Sequence, residues 1–110
     1  GILDAIHLLL KNRISGAPVV DKLGNIVGIL SEKDCLKVML TASYYEEPGG
    51  KVEEFMTPEV KTVDAESSLV DVAEIFLETN YRRFPVVADG NRLVGQISRR
   101  DVLRALERLW

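Results

Sequence analysis

Apolar positions Ile2, Leu3, Ala5, Ile6, Leu9 and Leu10 recur at helical spacing, and Leu69, Val70, Val72, Ala73, Phe76 and Leu77 repeat the stripe. Each predicted helix is followed, after a short gap, by a proline and a β-branched pair, Pro18-Val19-Val20 and Pro85-Val86-Val87. These predict strands opening at the prolines, which donate no ladder hydrogen bond and so favour strand starts. Gly24-Asn25 and Asp89-Gly90-Asn91 then supply residues that tolerate positive φ, the chemistry of a hairpin turn. Second strands are expected over residues 26–30 and 93–97. Each has an internal glycine, Gly28 or Gly95, where a bulge or a close backbone approach is predicted. Ser31 and Ser98 are N-cap candidates for helices reaching about Leu40 and Leu109. Residues 41–50 are polar and end in Pro48-Gly49-Gly50, a loop. Residues 51–56 predict one helical turn stopped at Thr57-Pro58. Residues 60–64 predict a strand leading into a helix over 67–78.

The pattern is written twice. Pro18 and Pro85, Gly28 and Gly95, Ser31 and Ser98, and Asp34 and Asp101 all stand 67 positions apart without a gap. Such a unit is longer than the usual solenoid repeat, so two copies are expected to close on each other with related clefts between them. The second copy reads strand, helix, strand, strand, helix, and the first lacks the opening strand. The fold class is α+β, two pseudo-two-fold-related repeats, and the missing strand is read as trimming of the chain. Residues 1–42 form the first repeat, 43–54 a linker and 55–110 the second repeat.

Composition adds constraints. Halves of about 55 residues are marginal alone and should share burial. The single Cys35 has no internal disulfide partner, which fits a reducing, cytoplasmic setting. The apolar run at residues 2–10 is interrupted by Asp4 and His7 and is far short of the ~20 residues that span a bilayer, so no membrane insertion is expected. Net charge is −3, but residues 1–80 carry −7 and residues 81–110 carry +4. The cationic end, with Arg82, Arg83, Arg92, Arg99, Arg100, Arg104 and Arg108, predicts an anionic partner. Nucleic acid is disfavoured by an isoelectric point near 5.2 and only seven aromatic residues for stacking. No catalytic set forms around the sole histidine, His7, which is read as structural. No metal-ligand spacing or phosphate-cradling P-loop occurs.

The ordered set Asp71-Val72-Ala73, Pro85-Val86-Val87, Leu93-Val94-Gly95-Gln96-Ile97-Ser98 and Ser98-Arg99-Arg100-Asp101 resembles a cystathionine-β-synthase (CBS) domain. Its earlier counterparts are Asp4-Ala5, Pro18-Val19-Val20, residues 26–31 and Ser31-Glu32-Lys33-Asp34. With Phe55-Met56-Thr57-Pro58 at the second entrance, the chain resembles a tandem pair, often called a Bateman module. The resemblance implies a regulatory binding module and not a catalyst. It implies an adenosine-containing ligand such as AMP, ADP or ATP, with S-adenosylmethionine or NAD in the same range, and no required cofactor. It further implies energy sensing, a homodimer, and relay of occupancy to an effector enzyme, channel or transporter. A ligand-free dimerisation scaffold is the alternative, because capping alone explains both Ser-x-x-Asp motifs.

Site expectations follow from residue chemistry and from this resemblance together. Asp101, held at a helix start, can accept from a ribose diol, with Ser98 as its cap. Arg82 and Arg83 can clamp phosphate bidentately, though alternation turns at most one of them inward, and Arg100 is a further candidate. Thr62, Val63, Phe84 and Pro85 complete the expected site, with Val63, Phe84 and Ile97 as possible adenine walls. The first copy offers Ser15 and Gly16 in place of the arginines. Its site, from Ser15, Gly16, Ala17, Ser31 and Asp34, is therefore expected to be the weaker.

Overall fold

The computed structural model describes residues 1–45 and 49–110. The elements are α1 (Ile2–Lys11), β1 (Gly16–Val20), β2 (Ile26–Ser31), α2 (Glu32–Tyr45), a 3-10 turn (Val52–Glu54), β3 (Val63–Asp64), α3 (Leu69–Glu78), β4 (Arg83–Ala88), β5 (Arg92–Ser98) and α4 (Arg99–Glu107). The α+β reading and the order of elements in both repeats agree with the sequence. Two compact units result. One is Gly1–Asp21 with Val27–Val60, and the other is Lys61–Trp110 with the turn segment Lys22–Ile26.

In the first unit α1 buries Ile2, Ile6 and Leu9, its i, i+4, i+7 face, against Leu30, Cys35 and Val38. β1 and β2 form a two-stranded sheet. Ala17 and Val19 pack on that core together with Val52 and Phe55 from the 3-10 segment. Gly28 is where the chain pays closest attention to its neighbour: a Cβ there would stand 2.9 Å from the Thr57 carbonyl oxygen and 2.6 Å from Met56 Sδ. The expected close backbone approach is therefore real at this glycine. Main-chain bonds in both directions between Ile29 and Thr57, 2.9 and 2.8 Å, hold the approach.

In the second unit the sheet order is β3-β4-β5, β3 parallel and β5 antiparallel to β4. Val63, Val72, Phe76, Phe84 and Val102 form the core. Large and small residues exchange places between the repeats: Ile6 and Ala17 correspond to Ala73 and Phe84. The Phe76 and Phe84 rings pack in this core with centroids 4.7 Å apart and planes tilted by 46°. Gly95 has open space where a Cβ would go, but the register of β4 on β5 slips between Val86 and Val87, opposite it. The bulge expected at an internal strand glycine therefore occurs in this repeat, and the close approach in the other.

Boundaries differ from the sequence reading in several elements. β1 and β4 begin two residues before their prolines. Pro85 is tolerated inside β4 because β3 pairs only with Val86 and Val87, so the proline's missing donor falls where β4 has one neighbour. β3 is only Val63–Asp64, shorter than the expected 60–64. Ser68, accepting from the Asp71 N–H at 3.1 Å, caps α3 one residue after the expected start. α2 continues to Tyr45, so the stretch expected as linker from residue 43 opens as helix, whereas α4 stops at Glu107. Glu46, Glu47 and Pro48, expected in the loop, lie outside the described residues. The turn at Asp89 and Gly90 has both residues at positive φ, 50° and 90°.

Candidate functional site

The Ser-x-x-Asp motifs form two capping boxes. At α4, the Asp101 N–H donates to Ser98 Oγ at 3.1 Å and the Ser98 N–H donates to Asp101 Oδ2 at 2.8 Å. At α2, Asp34 N–H to Ser31 Oγ is 3.1 Å and Ser31 N–H to Asp34 Oδ2 is 3.0 Å, with a further bond from Ser31 Oγ to Oδ2 at 2.9 Å. Both boxes satisfy helix N-terminal donors without any ligand. In both, the cap uses Oδ2 and leaves Oδ1 without a hydrogen bond among the described residues.

The two carboxylates differ in surroundings. Asp101 is exposed, while Asp34 is half-buried. The Ser98 backbone N–H, helped by its hydroxyl and by the charges of Arg104 and Arg83, holds the Asp101 carboxyl below its ordinary value. Strand pairing explains the nearby guanidinium, because Arg83 is the β4 residue directly opposite Ser98. Arg82 precedes the strand, and its carbonyl accepts from the Arg99 N–H at 3.0 Å. Among the described residues neither Arg82 nor Arg83 pairs with Glu74 or Glu78; the side-chain ion pair formed is Arg92 with Asp89 at 2.7 Å.

Of the expected residues, the structure gathers Arg83, Ser98 and Asp101. Thr62 is half-buried just ahead of β3. Val63 and Phe84 are core residues, 4% and 1% exposed, so neither side chain is free to wall a surface slot. Phe84 is held between Phe76 and Tyr81. Pro85 is buried beside it, and Ile97 is partly buried against the same core. Arg100 lies with Leu103, Arg104 and Glu107 along a shallow groove on α4. The charge of Arg104, one turn on from Asp101, helps to hold that carboxyl down. Arg104 is the residue the sequence reading left out of the site, although its i+3 spacing from Asp101 puts both on one helix flank.

The first repeat keeps the frame and lacks the cation. The Ser15 carbonyl accepts from the Glu32 N–H at 2.9 Å, as that of Arg82 does from Arg99. Gly16 stands where Arg83 stands in the other repeat, and a Cβ on it would lie 3.2 Å from the Leu30 carbonyl oxygen. Ala17 is half-buried and packs on the core. Among the described residues no cluster of three or more histidine, cysteine or acidic groups could hold a metal.

Comparison with known proteins settles the family. The family model of the CBS domain matches residues 1–41 and 52–108. The chain belongs to the CBS-domain family. This CBS pair is similar to uncharacterized protein MJ1426 of Methanocaldococcus jannaschii, 33% identical over 96% of this chain and 80% of that protein. It is similar also to the chloroplastic CBS domain-containing protein CBSX1 of Arabidopsis thaliana, 34% identical over 93% of this chain and 54% of that one. The pair thus spans about half the length of CBSX1. Among solved structures, CBSX2 in complex with AMP aligns with TM-score 0.78 at 33% identity, covering 98% of this chain and 82% of that one. The CBS pair of MJ0100 in complex with 5-methylthioadenosine and S-adenosyl-L-methionine aligns with TM-score 0.70 at 29% identity, covering 99% and 83%. An inosine-5'-monophosphate dehydrogenase of M. jannaschii is 32% identical over 92% of this chain but only 19% of its own length, so in that enzyme the matched segment is a minor part. Among the described residues no helix is long and apolar enough to cross a membrane.

Proposed function

We propose that this CBS pair is a regulatory sensor of an adenosine-containing ligand of the AMP, ADP or ATP type, with the second repeat, residues 55–110, supplying the stronger half of the chemistry. The observation that carries the reading is the strand register that sets Arg83, unpaired among the described residues, opposite Ser98 and beside the exposed Asp101 carboxylate. A ribose diol can donate to a carboxylate with a free oxygen, and Asp101 keeps Oδ1 free while Oδ2 caps α4. A 5'-phosphate next to that ribose requires a cation, and Arg83 and Arg104 supply the nearest charges. Arg82 and Arg100 add long-range attraction, and Thr62 a hydroxyl. Phe84, Pro85 and Val63 act from beneath, by fixing the strand that presents Arg83. Relatives crystallised with AMP, and with 5-methylthioadenosine and S-adenosylmethionine, support adenosine as the common element.

The first repeat, residues 1–42, has the capped Asp34 but glycine at the arginine position, so its Ser15, Gly16, Ala17 and Ser31 frame serves a weaker or uncharged ligand. The connection at 43–54 joins the two. The chain associates with a second copy and relays occupancy to an effector enzyme, channel or transporter. The unpaired Cys35 supports a cytoplasmic setting. Thermal melting with AMP, ADP, ATP, S-adenosylmethionine and NADH tests the proposal. A ligand at 100 times its dissociation constant raises stability by about 2.7 kcal/mol. The ligand-free scaffold is favoured by one observation, that both capping boxes are complete without a ligand. Absence of any shift across the panel would select it, and a salt-sensitive gel shift with RNA or DNA would select nucleic acid instead.

A further inference from the structure

Arg100, Arg104 and Arg108 recur every four residues on α4 and at its C-cap, and all three are exposed. On a helix that spacing sets them along one stripe, with a rise of about 6 Å from each to the next. Arg100 and Arg104 line a shallow groove of about 290 Å³ together with Leu103 and Glu107. Among the described residues none of the three arginines has an ion-pair partner, whereas Arg92 of the same unit pairs with Asp89.

Folding does not account for the stripe. The core-facing side of α4 is carried by Val102 and Leu106. Like charges four residues apart destabilise a helix, and both steps of the stripe are such pairs. The helix dipole favours Arg104 and Arg108 near the C-terminal end but disfavours a cation at Arg100, in the first turn. In the first repeat the equivalent positions are Lys33, Lys37 and Thr41, so the run of three guanidinium groups belongs to the second repeat. Each guanidinium is a planar fork that can hold a carboxylate through two hydrogen bonds, which a lysine cannot match. Carboxylates at alternate positions of an extended chain stand about 6.7 Å apart, close to the rise of the stripe. Residues 99–108 hold no aromatic ring for a base to stack on, so single-stranded nucleic acid fits the stripe less well.

We propose that the stripe of Arg100, Arg104 and Arg108 docks an extended acidic segment of the effector protein, and that this segment and the phosphate of the adenosine ligand compete for Arg104. Arg104 stands one turn on from Asp101, so it belongs to the stripe and to the ligand chemistry alike. The competition gives occupancy a physical route to the partner. Ligand phosphate on Arg104 leaves the segment only Arg100 and Arg108, and a docked segment weakens the ligand by the same factor. The competition rests on the nucleotide reading above; the docking of the segment does not.

Fluorescence anisotropy of a labelled short peptide alternating glutamate and serine, at low ionic strength, tests the proposal on the whole chain. The expected result is saturable binding to the wild type, weakened about threefold or more by Arg104→Gln and by Arg108→Gln. Arg92→Gln, an equal change in net charge at the far end of β5, leaves the peptide affinity unchanged. Saturating AMP weakens the peptide about threefold or more in the wild type and has no such effect in Arg104→Gln, while Arg108→Gln keeps the wild-type affinity for AMP. Circular dichroism melts of the variants separate loss of docking from loss of folding. No saturable peptide binding, equal weakening by all three substitutions, or tighter binding of a single-stranded oligouridylate than of the peptide overturns the docking stripe. Peptide binding that AMP leaves unchanged, when calorimetry shows the same protein saturated with AMP, overturns the competition alone. No calorimetric binding of AMP overturns the nucleotide reading and the competition together, and the peptide titrations still decide the docking.

Discussion

Gly28 and Gly95 occupy the same place in the two repeats, and the structure predicts opposite responses to alanine. A Cβ at Gly28 would meet the Thr57 carbonyl oxygen at 2.9 Å, Met56 Cγ at 2.9 Å and Met56 Sδ at 2.6 Å. Met56 can swing aside at modest cost. The Thr57 carbonyl cannot, because it accepts from the Ile29 N–H at 2.9 Å while the Thr57 N–H donates back to Ile29 at 2.8 Å. Gly28→Ala must loosen that pair or bend β2, an overpacking cost of about 1–3 kcal/mol. Gly95 has nothing within 4 Å of its absent Cβ and no positive φ. Gly95→Ala therefore gains from reduced freedom of the unfolded chain, by roughly 0.4–1 kcal/mol. Equilibrium urea unfolding followed by far-ultraviolet circular dichroism reads both as midpoint changes at constant slope. Equal effects of the two substitutions, or a Gly28→Ala protein as stable as the wild type, would refute the packing argument.

Further outcomes follow from the titrating groups. The Asp101 carboxyl is held below its ordinary value in the fold, so its share of stability is complete above the unfolded value of about 3.9 and is lost only as pH falls through the lower folded value. Asp101→Asn is therefore expected to melt below the wild type at pH 7, with the gap closing as pH is taken below about 4; a gap that persists unchanged in acid contradicts the cap geometry. Burial, then the neighbouring charges of Asp34 and Glu32, push the Cys35 thiol up, and the residue is 7% exposed. Iodoacetamide at pH 7.5 (about 1 unit below a free thiol's pKa) should label it slowly in the folded protein and rapidly in urea; fast labelling of the folded chain would show that the first core opens.

Much of this architecture is legible in the sequence because its causes are local. The stripe of Ile2, Ile6 and Leu9, the prolines, the turn glycines and the Ser-x-x-Asp boxes each act within a few residues, and the 67-residue offset lets one copy check the other. What escaped depends on partners distant in the chain. Pro85 sits inside β4 only because β3 is two residues long and begins pairing after it. In the sequence Phe84 is open to either role, ligand wall or core, until Phe76 and Tyr81 are seen around it. That residue 83, and not residue 82, stands opposite Ser98 is a matter of strand register, which alternation alone could not give. Gly16, read from the sequence as a missing phosphate clamp, turns out to lie against the Leu30 carbonyl, so the first repeat has little room for a side chain there.

The central claim is that the second repeat carries the stronger adenosine-ligand chemistry through Asp101. Calorimetric titration of AMP into the wild type, Asp101→Ala and Asp34→Ala tests it most directly. The account predicts saturable binding to the wild type, weakening of about tenfold or more on loss of Asp101, where charge-assisted hydrogen bonds disappear, and a much smaller change on loss of Asp34. Equal weakening by both substitutions, or no saturable heat with the wild type, would contradict it.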